Sequence, residues 1–160
     1  MTLLAVSEKG FTMLPDNNLS RELSSPALSG DHELILVVED DRWVRHFLRE
    51  LLEVTGYCVI EAQDAMEALE KYRQQGDAIA LVLCDLVIPK MSGRELCREL
   101  KNARQDLKVL FMSGYPIEVI RERGIAVDDI ALLPKPFNPE ELLNGIRAVL
   151  LGGTISGPFA

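Results

Sequence analysis

Cysteine is scarce in this chain: Cys58, Cys84 and Cys97 are odd in number, widely spaced and without a C-x-x-C pair. Such a set argues against a disulfide framework and reads as reduced, mostly buried thiols of a cytoplasmic protein. Long apolar runs are absent too. None approaches the ~20 residues that span a bilayer, and Leu3-Leu4-Ala5-Val6 is too short and too weakly charged in its flanks for a signal peptide. Basic residues are outnumbered, 17 Lys and Arg against 25 Asp and Glu, for a net charge of −8 and a pI near 4.8. That balance argues against sequence-independent binding to nucleic acid or to an anionic membrane. The Lys and Arg present alternate with Glu along helical stretches and read as solvated faces. There is no internal repeat, low-complexity tract, nucleotide-binding glycine motif or kinase histidine box. His46 falls within a helix and His32 in the leader.

What remains is a globular composition, 48% hydrophobic and 26% charged. A domain of roughly 120 residues buries about two-thirds of its unfolded surface, enough for a real core. Residues 1–32 show no sustained periodicity and are expected to form a flexible leader; 33–151 form one domain, and 152–160 a short tail. Within the domain, apolar runs at 34–38, 57–60, 79–84, 107–112 and 130–134 predict strands. Helices are expected between and after them. Val44, Phe47, Leu48, Leu51 and Leu52 share one helical face, stopped by Gly56 as a C′ residue. Asp64 with Glu67, and Ser92 with Glu95, form capping-box patterns. A short helix is expected at 117–123, ended by Gly124. Asn138-Pro139-Glu140-Glu141 supplies an N-cap, a proline at N1 and a Glu at N3. Five strand–helix units in succession predict an α/β fold, a parallel sheet with helices on both faces. The order of its strands is not set by the pattern.

Four of the apolar strands end in polar groups: the first in Glu39-Asp40, the third in Asp85, the fourth in Ser113 and the fifth in Lys135. Open parallel sheets present their ligand sites at this carboxyl edge. Three carboxylates, a hydroxyl and an ammonium meeting there suit a hydrated Mg²⁺ and an accepted phosphoryl group. Asp85 is then the in-line nucleophile, Lys135 neutralises phosphoryl charge, and Ser113 donates one hydrogen bond. Taken singly, each residue has a plainer reading. An acidic pair after a strand is commonly an N-cap, a loop Asp is commonly structural, and Lys135 between two prolines marks a rigid turn. Their joint occurrence at four strand ends decides for the site.

The motifs Val37-Val38-Glu39-Asp40-Asp41, Asp85-Leu86-Val87-Ile88-Pro89-Lys90-Met91-Ser92-Gly93, Phe111-Met112-Ser113-Gly114-Tyr115 and Leu133-Pro134-Lys135-Pro136-Phe137 resemble the response-regulator receiver domain of two-component signalling. The stretches 107–115 and 133–143 look most like receivers attached to hybrid histidine kinases. The resemblance implies a flavodoxin-like (βα)5 three-layer sandwich with sheet order 2-1-3-4-5 and a phosphoacceptor at Asp85. It implies Mg²⁺ held by Asp40, Asp85 and the backbone carbonyl of Val87, with Glu39 acting through water. Ser113 becomes the switch hydroxyl and Lys135 the phosphate-sensing cation, followed by a cis Lys135-Pro136 bond. Three positions depart from the commonest pattern. Glu39 replaces an Asp, Val87 is apolar where the family tunes attack by water, and Leu132 stands where an aromatic switch residue is usual. Coupling to the output face is then weaker or carried by Tyr115.

Two further expectations follow. The favoured function is a binding switch that receives a phosphoryl group from a histidine kinase or histidine phosphotransfer protein. It signals to a protein target through the face of helix 4, strand 5 and helix 5, and a phosphorylation-dependent homodimer is one form such output takes. It is not a turnover enzyme, and the nine residues after Leu151 are too few for an output domain. The alternatives are a haloacid-dehalogenase-like phosphatase using Asp85, and a receiver-like module that no longer takes phosphate. Those phosphatases place a second Asp two positions after the nucleophile, where this chain has Val87. Trp43, near the acidic pair, is expected to pack at the helix start.

Overall fold

A computed structural model describes residues 30–153, together with a short antiparallel ladder between Val6–Ser7 and Gly10–Phe11. The rest of the expected leader and tail lies outside the described residues. The leader's last residues are held: the Gly30 and His32 amides donate to the Thr55 and Gly56 carbonyls at 2.8 and 3.1 Å.

Five strand–helix units follow: β1 (Leu34–Val38), α1 (Arg42–Val54), β2 (Cys58–Ala62), α2 (Ala65–Gln75), β3 (Ile79–Asp85), α3 (Gly93–Ala103), β4 (Lys108–Ser113), α4 (Ile117–Glu122), β5 (Leu132–Pro134) and α5 (Pro139–Leu150). All the pairings are parallel and the order is β2-β1-β3-β4-β5, the flavodoxin-like arrangement expected. The central strands are apolar on both faces, and period-2 alternation divides them between two cores. Ile35, Val37, Leu81, Leu83, Leu110 and Met112 pack with α1 and α5. Leu36, Val38, Val82, Cys84, Val109 and Phe111 pack with α2, α3 and α4. Cys84 points into that second core, as its place beside Asp85 predicted.

The helices start where their capping residues stand. Asn138 and Ser92 form full capping boxes with Glu141 and Glu95. Asp64 accepts from the Glu67 amide, but the Glu67 carboxylate reaches one residue further back, to the Gln63 amide at 2.9 Å. Gly56 ends α1 with φ +95°, a left-handed conformation that suits glycine. β5 is shorter than its apolar run suggested. Regular pairing covers only Leu132–Pro134, because 128–131 is spent on a turn and the exposed Asp128 and Asp129 face arginines. Cys58 is exposed, on the edge strand β2, whereas Cys84 and Cys97 are buried. Trp43 stands 63% exposed with the Arg42 guanidinium 5.5 Å from its ring centroid, so it does not pack as expected.

The strand order changes direction between β1 and β3, and the site residues gather at that switch point. Gly93, the first residue of α3, sits so close to the end of β3 that a Cβ there would lie 2.2 Å from the Asp85 carbonyl oxygen and 2.9 Å from the Cys84 sulfur. Gly93→Ala should therefore displace the backbone at Asp85 and cost at least ~2 kcal/mol, as overpacking does. Gly114→Ala, whose Cβ meets nothing closer than 4.0 Å, should stay within about 0.5 kcal/mol of wild type. Urea denaturation of both variants tests the pair; equal stabilities would refute the close-packing argument.

Candidate functional site

Register brings the site together. Val38 pairs with Cys84, so the next residues, Glu39 and Asp85, lie level at the ends of β1 and β3. Asp85 pairs with Met112, and Ser113 with Pro134, which places Lys135 one residue beyond the last rung. The ladder continues past each strand end: the Glu39 amide donates to Ala62 O, Leu86 to Met112 O and Lys135 to Ser113 O, at 2.7–3.1 Å. The polar side chains therefore stand on fixed backbone rather than on loose loops.

The Lys135 ammonium bridges two carboxylates, 2.7 Å from Glu39 Oε2 and 2.7 Å from Asp85 Oδ2. All three are largely buried, Glu39 almost completely, and so is the neighbouring Ser113. Asp85 Oδ1 accepts from the Val87 amide at 2.8 Å, and Glu39 Oε1 from the Asp41 amide at 3.1 Å. Ser113 Oγ accepts from the Tyr115 amide at 3.1 Å. The Lys135-Pro136 bond is cis.

Asp41, rather than the preceding acidic pair, is the N-cap of α1; its Oδ1 takes the Trp43 and Val44 amides at 2.8 and 3.0 Å. That leaves Glu39 and Asp40 to the site. Each of Glu39, Asp40 and Asp85 offers an oxygen within 4.8 Å of the others. When all three carboxylates are ionised, the one ammonium leaves the cluster with an excess of negative charge. An all-oxygen donor set with that charge fits a hard divalent cation. Glu39 carries the electrostatic tension. Burial pushes its pKa up to about 7 and the Asp85 charge adds to this, while Lys135 opposes it. Burial works against the Lys135 ammonium, but Glu39 and Asp85 outweigh it and raise its pKa.

Two features left no mark in the sequence pattern. Arg45 on α1 donates to the Glu39 carbonyl at 2.6 Å and to the Asp40 carbonyl at 3.4 Å, and its Nε lies 3.6 Å from Glu61. It braces the acidic turn from behind. Tyr115 lies under the Arg123 guanidinium, 4.5 Å from ring centroid to Cζ. Leu132 is half-buried against the core. His46 is exposed, with its Nδ1 3.3 Å from Arg49. The Cys84 thiol is pushed well up by its hydrogen bond with the Cys97 thiol and by burial, which makes it a poor nucleophile.

The family model of the response regulator receiver domain matches residues 35–147. The chain belongs to this family. The Mycobacterium leprae response regulator MprA is 42% identical over 117 residues, which are 72% of this chain and 50% of that protein. The chain thus spans about half the length of the curated relatives it matches. Among solved structures, a CheY-like receiver domain protein from Methanospirillum hungatei is 31% identical with a TM-score of 0.63, covering 75% of this chain and 94% of the other. The receiver domain of the hybrid histidine kinase CckA is 30% identical with a TM-score of 0.62, covering 73% and 98%. The phosphatase alternative finds no support here. No helix among the described residues of this receiver is long and apolar enough to cross a membrane.

The Glu39 titration has a consequence for stability. Its folded pKa lies above its unfolded value, so the stability it contributes is complete below about pH 4.5 and is lost as pH rises through about 7. In metal-free buffer, the urea midpoint should fall between pH 5 and 8, and Glu39→Gln should flatten that slope. An unchanged slope in the variant would assign the titration elsewhere.

Proposed function

We propose that this receiver takes a phosphoryl group onto Asp85 from the phosphohistidine of a histidine kinase or histidine phosphotransfer protein. The observation that carries the reading is the Lys135 bridge, which holds Asp85 Oδ2 beside Glu39 at the switch point of the sheet. A carboxylate oxygen of Asp85 attacks phosphorus, the P–N bond breaks, and its electron pair returns to the imidazole of the donor. Lys135 releases its hold on Asp85 and meets the phosphoryl oxygens, and Ser113 turns its hydroxyl toward the same group. Mg²⁺ is the divalent cation proposed: Asp40, Asp85 and the Val87 carbonyl would hold it, Glu39 would act through water, and it would supply positive charge to neutralise the incoming phosphoryl oxygens. The fit to the donor set supports this choice of ion.

The chain catalyses its own modification and does not turn over. Val87 stands two residues beyond Asp85, where a general acid is needed for hydrolysis of phosphomonoesters. Output passes to a protein partner through the face of α4, β5 and α5, and a few kcal/mol between two states suffices for a useful switch. A cytoplasmic site of action follows from the donor, whose phosphohistidine is made from ATP.

Acetyl phosphate with Mg²⁺ should add one phosphoryl group, located by mass spectrometry on Asp85 and removed by hydroxylamine. Asp85→Asn and chelation by EDTA should each abolish it. Lys135→Ala should slow it by about 10²-fold, the loss expected for a preorganised donor to developing charge. An adduct that persists in Asp85→Asn, or rapid release of phosphate from small phosphomonoesters, would overturn the reading.

A further inference from the structure

A groove of about 390 Å³ opens on the other side of α4 from the β5–α5 face, between the loop that follows β3 and the C-terminal end of α4. Val87, Ile88, Met91 and Ile125 give it an apolar lining, and Lys90 and Arg123 stand in its walls. These two cations are unlike their neighbours. Arg94 is taken by Asp129 at 2.9 Å and Arg121 by Asp128 at 2.5 Å, whereas no carboxylate among the described residues pairs with Lys90 or Arg123. Glu95, the acidic residue of the groove, is committed to the Ser92 amide and hydroxyl at 2.9 and 2.8 Å. A protein of net charge −8 thus presents here two positive charges that no carboxylate pairs, against one carboxylate already held by Ser92, beside half-buried apolar side chains.

One wall meets the phosphoacceptor site through a hydrogen bond, the other through a ring contact followed by a hydrogen bond. The Val87 amide donates to Asp85 Oδ1. On the opposite wall, Arg123 stacks on Tyr115, whose amide donates to Ser113 Oγ. These two oxygens belong to the groups that a phosphoryl on Asp85 would engage. A phosphoryl group that engaged these oxygens would take the acceptor from the Val87 or the Tyr115 amide.

We propose that this groove docks an acidic segment of a partner protein, one that places a carboxylate between Lys90 and Arg123 and a branched apolar side chain against Val87 and Ile125. Phosphorylation of Asp85 resets its affinity; that second part rests on the function proposed above, while charge recognition does not. Opposite charge selects the class of segment, and the small apolar floor limits it to one or two side chains.

The probe is an immobilised array of octapeptides built from Asp, Glu, Leu, Ile, Val and Phe, with a matched array in which Lys and Arg replace Asp and Glu. The full chain should be retained by the acidic array and not by the basic one. Lys90→Glu combined with Arg123→Glu should weaken retention at least tenfold while leaving modification by acetyl phosphate intact. Pretreatment with acetyl phosphate and Mg²⁺ should change wild-type retention at least threefold and leave that of Asp85→Asn unchanged. Equal retention of the double variant, preference for the basic array, or no retention at all would overturn the proposal. So would self-association in sedimentation that the double variant abolishes, since a second copy would then be the occupant. Failure of acetyl phosphate to modify wild-type Asp85 removes the phosphoacceptor reading, whereas charge-selective retention is measured without any phosphoryl group and is judged separately.

Discussion

One ammonium shared by two buried carboxylates organises this domain's functional edge. Lys135 reaches across to Glu39 and Asp85, 96 and 50 residues away in sequence, at 2.7 Å each. Desolvating three charges is costly, and mutual attraction recovers that cost only with good geometry and further hydrogen bonds. Both carboxylates have them, from the Asp41 and Val87 amides. The arrangement is nevertheless short of positive charge. Asp40 brings a third carboxylate to the cluster, and Glu39 is held with its pKa near 7 by its burial. The site is therefore built for cations it does not itself supply, and an arriving phosphoryl group competes for the one ammonium it has. Any ligand that draws Lys135 away from Asp85 must change the balance around Glu39 as well.

Much of this was legible in the chain because strand ends and chemistry coincide. A run such as Ile79-Ala80-Leu81-Val82-Leu83-Cys84 has to be buried on both faces, so Asp85 has to emerge at its edge. The same holds for Ser113 and Lys135, and for the helix starts marked by Ser92 and Asn138, where side chain and cap geometry are local. What the pattern could not supply was pairing across strands. Lys135 was expected to meet Asp85, but its equal hold on Glu39 follows from β1 lying between β2 and β3, and strand order leaves no periodic trace. Arg45 was invisible for a different reason: it recognises backbone carbonyls, which every residue carries. Two of the three thiols are buried as expected and Cys58 lies exposed on the edge strand, whereas Trp43, expected to pack at the start of α1, faces water from its first turn.

The departure at Leu132 bears on how a signal leaves the site. A half-buried aliphatic side chain cannot swing between an inner and an outer position as a ring at a surface crevice can, because its volume is already taken up by the core around it. Coupling must then use groups that touch the site directly and also reach solvent. Ser113 Oγ has one such contact, the Tyr115 amide, and the Tyr115 ring is 45% exposed beneath Arg123. A Ser113 hydroxyl turned toward Asp85 would take the acceptor from the Tyr115 amide. A cation–π contact at an exposed site contributes only about 0.5–1 kcal/mol, so the Arg123–Tyr115 link is a weak one. In a receiver with no ring at 132, the contacts that link Ser113 to the surface run through the β4–α4 turn and the Tyr115 ring.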